Sequence, residues 1–319
     1  QPSSSHQNFE QFAKSTFGET LTDVFFRPYN QKIWTVSIAS IGSSWVEGRV
    51  PRPNPKTLKG KKTNSERFQK QLLICSYPAK LRGVGLMWDR IVLNLPQEWI
   101  HLNSTVTNVD TGREQVILAD DRRFSYDSVI STIPIDQLGR ITGLAQDLPL
   151  QKSKVVLCGI GMTRPQPEHT ESYSWLYFPQ PDIIFYRVTF ISNFNECMTP
   201  NVALYWSVLC EIGVSSEAEV DEADVAERSV QDLLRVGIIT DQSLVVERWV
   251  KVQPYGYPIP SINRDETLAR AHSSLEKHKI YSRGRFGSWL YETSNQDHSF
   301  NMGKEVVDEI FTQEKQTPH

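Results

Sequence analysis

Cysteine is scarce and unpatterned in this chain of 319 residues. Cys75, Cys158, Cys197 and Cys210 form no C-x-x-C pair, which excludes a zinc knuckle and a vicinal redox couple and points to reduced thiols in a cytoplasmic protein. No apolar run reaches the roughly 18 residues that a bilayer span needs, so the expectation is a soluble protein with no membrane partner. Charge of one sign is missing too: 34 Lys and Arg against 37 Asp and Glu give a net charge of -3. That balance leaves no basic face for nucleic acid, although it permits a local arginine cluster for a small anion. The opening lacks both a methionine and a leader with charged and apolar halves, and Gln1 with its Ser-rich sequel reads as a cut in a longer chain. Ordinary catalytic signatures are absent as well. There is no G-x-S-x-G, H-E-x-x-H, Walker loop or G-x-G-x-x-G; Gly83-Val84-Gly85 and Gly159-Ile160-Gly161 are too short, and His101, His169, His272, His278 and His298 are scattered. A chain without a nucleophile of its own either only binds or leaves the reaction to a cofactor.

What is present is a mixture of helical and strand-like patterning. Phe9, Phe12, Ala13, Phe17, Leu21, Val24 and Phe25 recur at helical spacing between Asn8 and Pro28, which predicts one amphipathic helix over 9–26. Residues 51–70 are rich in Pro and Lys and read as an exposed loop. Residues 104–133 alternate apolar and polar around Asp110-Thr111-Gly112 and Asp120-Asp121, the pattern of a β-meander ending at Pro134. Strand-like runs follow at 154–162, 173–178, 183–191, 203–212 and 244–250. A helix is expected over 217–236, started by a Ser216/Glu219 capping box and stopped by Gly237. An antiparallel sheet with a helix on one face is the economical arrangement. Two further helices are expected, one over 265–277 and a last one presenting Met302, Val306, Val307 and Ile310.

The segment 284–300, GRFGSWLYETSNQDHSF, is the most distinctive. An aromatic stretch runs into a polar turn and then a helix beginning near His298 to Phe300. On pattern alone this is a capped surface helix, whose free N–H groups also suit an anion or an electron-rich carbonyl.

Phe17-Gly18-Glu19, the run Arg27 to Trp34 (RPYNQKIW), Gly48-Arg49-Val50, Trp175-Leu176-Tyr177-Phe178-Pro179, Phe185-Tyr186-Arg187, Tyr255-Gly256-Tyr257-Pro258 and 284–300, in this order, resemble the eukaryotic UDP-galactopyranose mutases over residues 9–312. The resemblance implies an isomerase that interconverts UDP-galactopyranose and UDP-galactofuranose. In that family reduced FAD displaces UDP through its N5 atom, the sugar recloses as a five-membered ring, and no net electron is transferred. It assigns Arg187 and Arg49 to the diphosphate, Tyr177, Tyr257 and Tyr291 to phosphate hydrogen bonds, Asn30 and Trp34 to the nucleotide, and Trp175 to a place beside the substrate. Arg285, Asn295, Gln296 and Ser299 fall on the flavin side, with Gly83 and Gly85.

The implied fold is mixed α/β: a truncated FAD-binding dinucleotide domain with its β-meander, a helical segment and an antiparallel-sheet substrate domain. The chain then divides into a helical segment over 1–50, a linker over 51–76, part of the FAD-binding domain over 77–150, the substrate domain over 151–282, a return to the FAD-binding domain over 283–312 and a tail over 313–319. Two departures stand out. The family's opening strand and glycine fingerprint have no counterpart, and its glycine-rich turn after Pro-Ala-Arg here reads Pro78-Ala79-Lys80-Leu81-Arg82-Gly83-Val84-Gly85-Leu86, preceded by Leu72-Leu73-Ile74. A flavin amine-oxidase-type oxidoreductase and a non-catalytic remnant are the competing readings. The sequence bears no mark of oligomeric state, and a homo-oligomer is compatible with it.

Overall fold

The computed structural model describes residues 8–46, 49–50, 77, 82–293 and 295–316. The linker expected over 51–76, Cys75, and residues 78–81 of the altered glycine turn lie outside them.

Helix α1 (Phe9–Phe17) is capped by the Asn8 side chain, which accepts from the Gln11 N–H at 2.9 Å. It stops at Gly18, whose φ of 85° a side chain would resist, so the single helix expected over 9–26 is broken there. The chain resumes with a short turn, Glu19–Leu21, a π-helical turn, Thr22–Phe26, and helix α2 (Arg27–Trp34). Pro28, expected to end the pattern, instead occupies the first turn of α2, where its missing N–H has no intrahelical partner to lose. Breaking the helix folds it back on itself, so that Phe9, Phe12, Ile33, Trp34, Ile38, Ile41 and Trp45 form one aromatic core with Tyr186 and Ile259.

Helix α3 (Val84–Val92) follows Gly83. Strands β1 (Val106–Asp110), β2 (Gln115–Leu118) and β3 (Arg123–Ser125) form the expected antiparallel meander. The run at its end does not join them. As β4 (Val129–Ser131) it pairs in parallel with β10 (Ile280–Ser282). Helix α4 (Ile135–Thr142) comes next, and Ile135, Leu138, Leu268, Leu275, Ile280 and Trp289 share a core with Val109.

The main sheet holds β5 (Lys152–Thr163), β6 (Trp175–Tyr177), β7 (Arg187–Thr189), β8 (Tyr205–Ser215) and β9 (Val245–Pro258) in the order β6-β7-β8-β5-β9, every pair antiparallel. Alternation decides its faces. Val156, Cys158, Ile160 and Met162 of β5 and Trp206, Val208, Cys210 and Ile212 of β8 pack with Val225, Val230 and Leu233 of helix α5 (Glu222–Arg235). That helix starts later than expected, because Asp221 rather than Ser216 accepts from the first free N–H groups, those of Ala223 and Asp224. The strand expected over 244–250 runs on to Pro258, which carries Tyr257 back toward α2.

Helix α2 lies on the other face of the sheet. A Cβ on Gly213 of β8 would sit 2.1 Å from the Lys32 carbonyl oxygen, so this close approach requires glycine. Lys32 then donates from Nζ to the carbonyls of Phe178, Gln180 and Phe185 at 2.8, 3.0 and 2.6 Å, tying α2 to the β6–β7 connection. Helix α6 (Arg264–Glu276) precedes β10, and α7 (Gln296–Gln316) begins two residues ahead of the expected start. Of its expected apolar face Val306 is buried, whereas Val307 is exposed. The fold is mixed α/β with antiparallel sheets, as the sequence implied.

Candidate active site

Arg187 and Glu211 sit opposite one another on β7 and β8. The guanidinium donates from Nε to Glu211 Oε1 at 2.7 Å and from Nη2 to Oε2 at 2.6 Å. Tyr186 donates its hydroxyl to the same Oε2 at 2.9 Å, and its oxygen lies 3.5 Å from the Tyr257 hydroxyl. Burial works against the Arg187 charge, but the hydrogen bonds and charge of Glu211 outweigh it, and the pKa is raised.

Beside this pair lies a cavity of about 430 Å³ whose walls include Phe25, Phe26, Tyr29, Asn30, Arg49 and Tyr291. It exists because the break at Gly18 turns the π-helical segment and α2 back over α1. Trp34 stands behind it, with its ring 4.6 Å from Tyr291 and 6.0 Å from Tyr257, and those two tyrosines are 5.6 Å apart. The Arg285 guanidinium lies 5.5 Å from the Tyr257 ring centre and 6.0 Å from that of Tyr291. Arg49 donates to the Glu292 carbonyl, and Glu292 is itself held by the buried Arg264 at 2.9 and 3.0 Å.

Electrostatically the cavity is a cationic corner. Burial lowers the Arg285 pKa, and the charges of Arg49 and Arg187 press in the same direction. Burial also raises the pKa of Tyr29 and Tyr291, so these phenols stay protonated and serve as neutral donors. Converging guanidinium groups and neutral hydroxyls in a partly dry hollow suit an anion with several oxygens.

The expected residues therefore divide. Arg49, Asn30 and Tyr291 line one cavity, while Arg187, Tyr257 and Arg285 adjoin it. Tyr177, 50% exposed, reaches it through Tyr29, ring centres 5.8 Å apart. Asn30 and Trp34 are largely spent on each other: Trp34 Nε1 donates to Asn30 Oδ1 at 3.1 Å, and Asn30 Nδ2 to the Phe26 carbonyl at 2.8 Å. Trp175 stacks edge-on against Phe194 at 5.3 Å and is 43% exposed. Asn295 precedes α7, and Gln296 and Ser299 lie in its first turn, where Gln296 accepts from Trp88 Nε1 at 2.7 Å. Gly83 precedes α3 and Gly85 lies in its first turn, and neither lines the cavity.

Sequence reasoning missed Tyr29, Tyr186 and Glu211. Glu211 carries the one signal that could have been used, a carboxylate inside the apolar run YWSVLCEIG. A larger hollow of about 800 Å³ lies along the same sheet face over Gly159 and Gly161, walled by Leu209, Met198 and Trp249. Among the described residues no arginine lines it and Glu247 is its charged residue, so it suits an anion less well than the smaller cavity does. Among the described residues no helix is long and apolar enough to cross a membrane, and no cluster of His, Cys, Asp or Glu is placed to hold a metal ion.

Residues 1–156 match the family model of flavin containing amine oxidoreductases. The fold is similar to the crystal structure of reduced UDP-galactopyranose mutase, with a TM-score of 0.86 and 30% identity, over 98% of this chain and 68% of that one. It is also similar to an oxidoreductase from Methanosarcina mazei (TM-score 0.59, 12% identity, 96% of this chain and 69% of that one). A fatty acid isomerase from P. acnes that produces CLA gives a TM-score of 0.58 at 12% identity, over 96% and 68% of the two chains. The last two share the fold alone.

Proposed function

From the premise that this chain belongs to the UDP-galactopyranose mutase family, within the flavin amine-oxidase-like superfamily, we propose that its cationic cavity holds the diphosphate of a UDP-sugar and serves the interconversion of UDP-galactopyranose and UDP-galactofuranose. The observation that carries this is the convergence of Arg49, Arg187 and Arg285 with Tyr29, Tyr257 and Tyr291 around one hollow. An amine substrate would meet like charge there, which disfavours the amine-oxidase reading.

The residues also fit the ring end of a flavin. Helix α7 is 21 residues long, and Arg285, whose Nε donates to the Thr293 carbonyl at 2.8 Å, lies beside the segment that leads into it. Asn295, Gln296, Ser299 and the Arg285 guanidinium carry donors of the kind that the carbonyl edge of an isoalloxazine accepts. No glycine loop for the pyrophosphate of FAD occurs in the sequence. When bound, the reduced flavin supplies the nucleophile for the anomeric carbon.

The chain's own residues bind, orient and compensate charge. Arg187 and Arg49 oppose the negative charge that grows on the departing UDP, and the neutral phenols add hydrogen bonds without adding charge. Phe25 and Phe26 exclude water from the same hollow, so the separated UDP stays in place for recapture. None of these groups need take or give a proton, in accord with the lack of a catalytic base motif.

Calorimetric titration with UDP and with uridine tests this. Arg187→Ala should weaken UDP about 10- to 100-fold, the loss expected for charged hydrogen bonds, and leave uridine unchanged. Equal affinity for UDP in the variant and the parent chain would rule the assignment out.

A further inference from the structure

We propose that Glu211 is the positioning residue that fixes which edge of Arg187 meets the phosphates. The inference rests on the diphosphate reading above and assigns a role to a residue that reading leaves unexplained: a carboxylate, 6% exposed, set beside a site meant for an anion. Simple charge counting makes such a carboxylate a disadvantage, because it repels the ligand. Its geometry gives the other side of the balance.

Both Glu211 oxygens are committed. Oε1 accepts from Arg187 Nε at 2.7 Å and from the Thr189 hydroxyl at 3.5 Å, whereas Oε2 accepts from Arg187 Nη2 at 2.6 Å and from the Tyr186 hydroxyl at 2.9 Å. The backbone repeats the lock, since the Tyr186 N–H donates to the Glu211 carbonyl at 2.9 Å. A carboxylate gripped on both oxygens cannot turn about its last bond, and a planar guanidinium bound to it through two parallel hydrogen bonds shares its plane. That fork uses Nε–H and one hydrogen of Nη2. It leaves Nη1 and the second Nη2 hydrogen on the opposite edge, which is again two-pronged and matches a second pair of oxygens. An arginine held in this way enters binding with its rotamers already fixed.

The aromatic surroundings agree with this division. Arg187 is partly exposed while Glu211 is enclosed, so the accessible edge of the pair is the guanidinium. The charge of Arg187 is felt at Tyr29, Tyr291 and Arg285, the residues around the cavity.

The test is a double-mutant cycle on the 319-residue chain, read by calorimetry with UDP and with uridine. Glu211→Ala is expected to weaken UDP by about 10-fold, the order of an extra mobile side chain to be ordered on binding, and to leave uridine unchanged. In an Arg187→Ala background the same change should have no further effect on UDP. Glu211→Gln keeps the buried shape and one acceptor oxygen, so it should fall between the parent and Glu211→Ala and guards against a variant that fails to fold. Equal or tighter UDP binding by Glu211→Ala would overturn the inference, because repulsion would then be the larger effect. So would parallel losses for UDP and uridine, the mark of a merely structural role. Should Arg187→Ala alone leave UDP untouched, the diphosphate reading itself fails, and that result is distinct from a failure at Glu211.

Discussion

Tyr291 can act on a ligand through its hydroxyl or through its ring, and two substitutions separate the routes. The ring packs against Trp34, Trp45 and Tyr257 at 4.6, 5.4 and 5.6 Å. Tyr291→Phe should weaken UDP a few-fold without moving the melting temperature, whereas Tyr291→Ala should also lower stability by about 3 kcal/mol. Equal stability losses in the two would contradict the assignment of the hydroxyl to ligand. Lys32 offers a second handle at this scale. Burial lowers its pKa from 10.5 to about 8, so between those values the unfolded chain keeps a proton that the folded chain has released. The folded state therefore gains stability with rising pH through that window, and it does so relative to a Lys32→Met variant. Urea unfolding of both proteins across the window checks this, and parallel pH profiles would refute it. A motif drew attention to Arg49, Asn30 and Tyr291, and the fold sets these three around one cavity. Tyr186 stood out less, because what marks it is a partner on another strand, and Glu211 offered only its place inside an apolar run.

Among the elements, those with local causes were read well. Strands β5 and β8 announce themselves by apolar runs, and α6 deviates from expectation by one residue at each end. Elements decided by distant partners were read poorly. Strand β4 looks like the end of the meander, yet it is claimed by β10, some 150 residues further on. Pro28 looks like a stop until the turn before it is known. Two glycines give opposite tests of the helical segment. Gly18 has open space around its Cβ position, so Gly18→Ala should cost about 1 kcal/mol, from the positive φ alone. Gly213→Ala drives a methyl group into the Lys32 carbonyl and should cost about 3 kcal/mol or more, while weakening UDP as α2 is pushed off the sheet. Chemical denaturation of the pair gives the comparison. Equal costs would mean that α2 does not rest on β8 as described.

For the molecule as a whole, the net charge of -3 hides a cationic corner built from separate segments. Its effect is consequently local, and added salt should weaken UDP while leaving uridine almost unaffected. Isothermal titrations from about 0.05 M to about 0.5 M NaCl would show this, and an equal response of both ligands would not fit. Arg49 comes from the loop after α2, Arg187 from β7, Tyr257 from the end of β9, and Arg285 and Tyr291 from the segment after β10. Only the assembled fold brings them together. The most direct test is a crystal structure of the chain with UDP: the diphosphate should lie in the hollow between Arg49 and Arg187, within hydrogen-bonding distance of both and of Tyr291. UDP found elsewhere, or with its phosphates turned away from these arginines, would contradict the account.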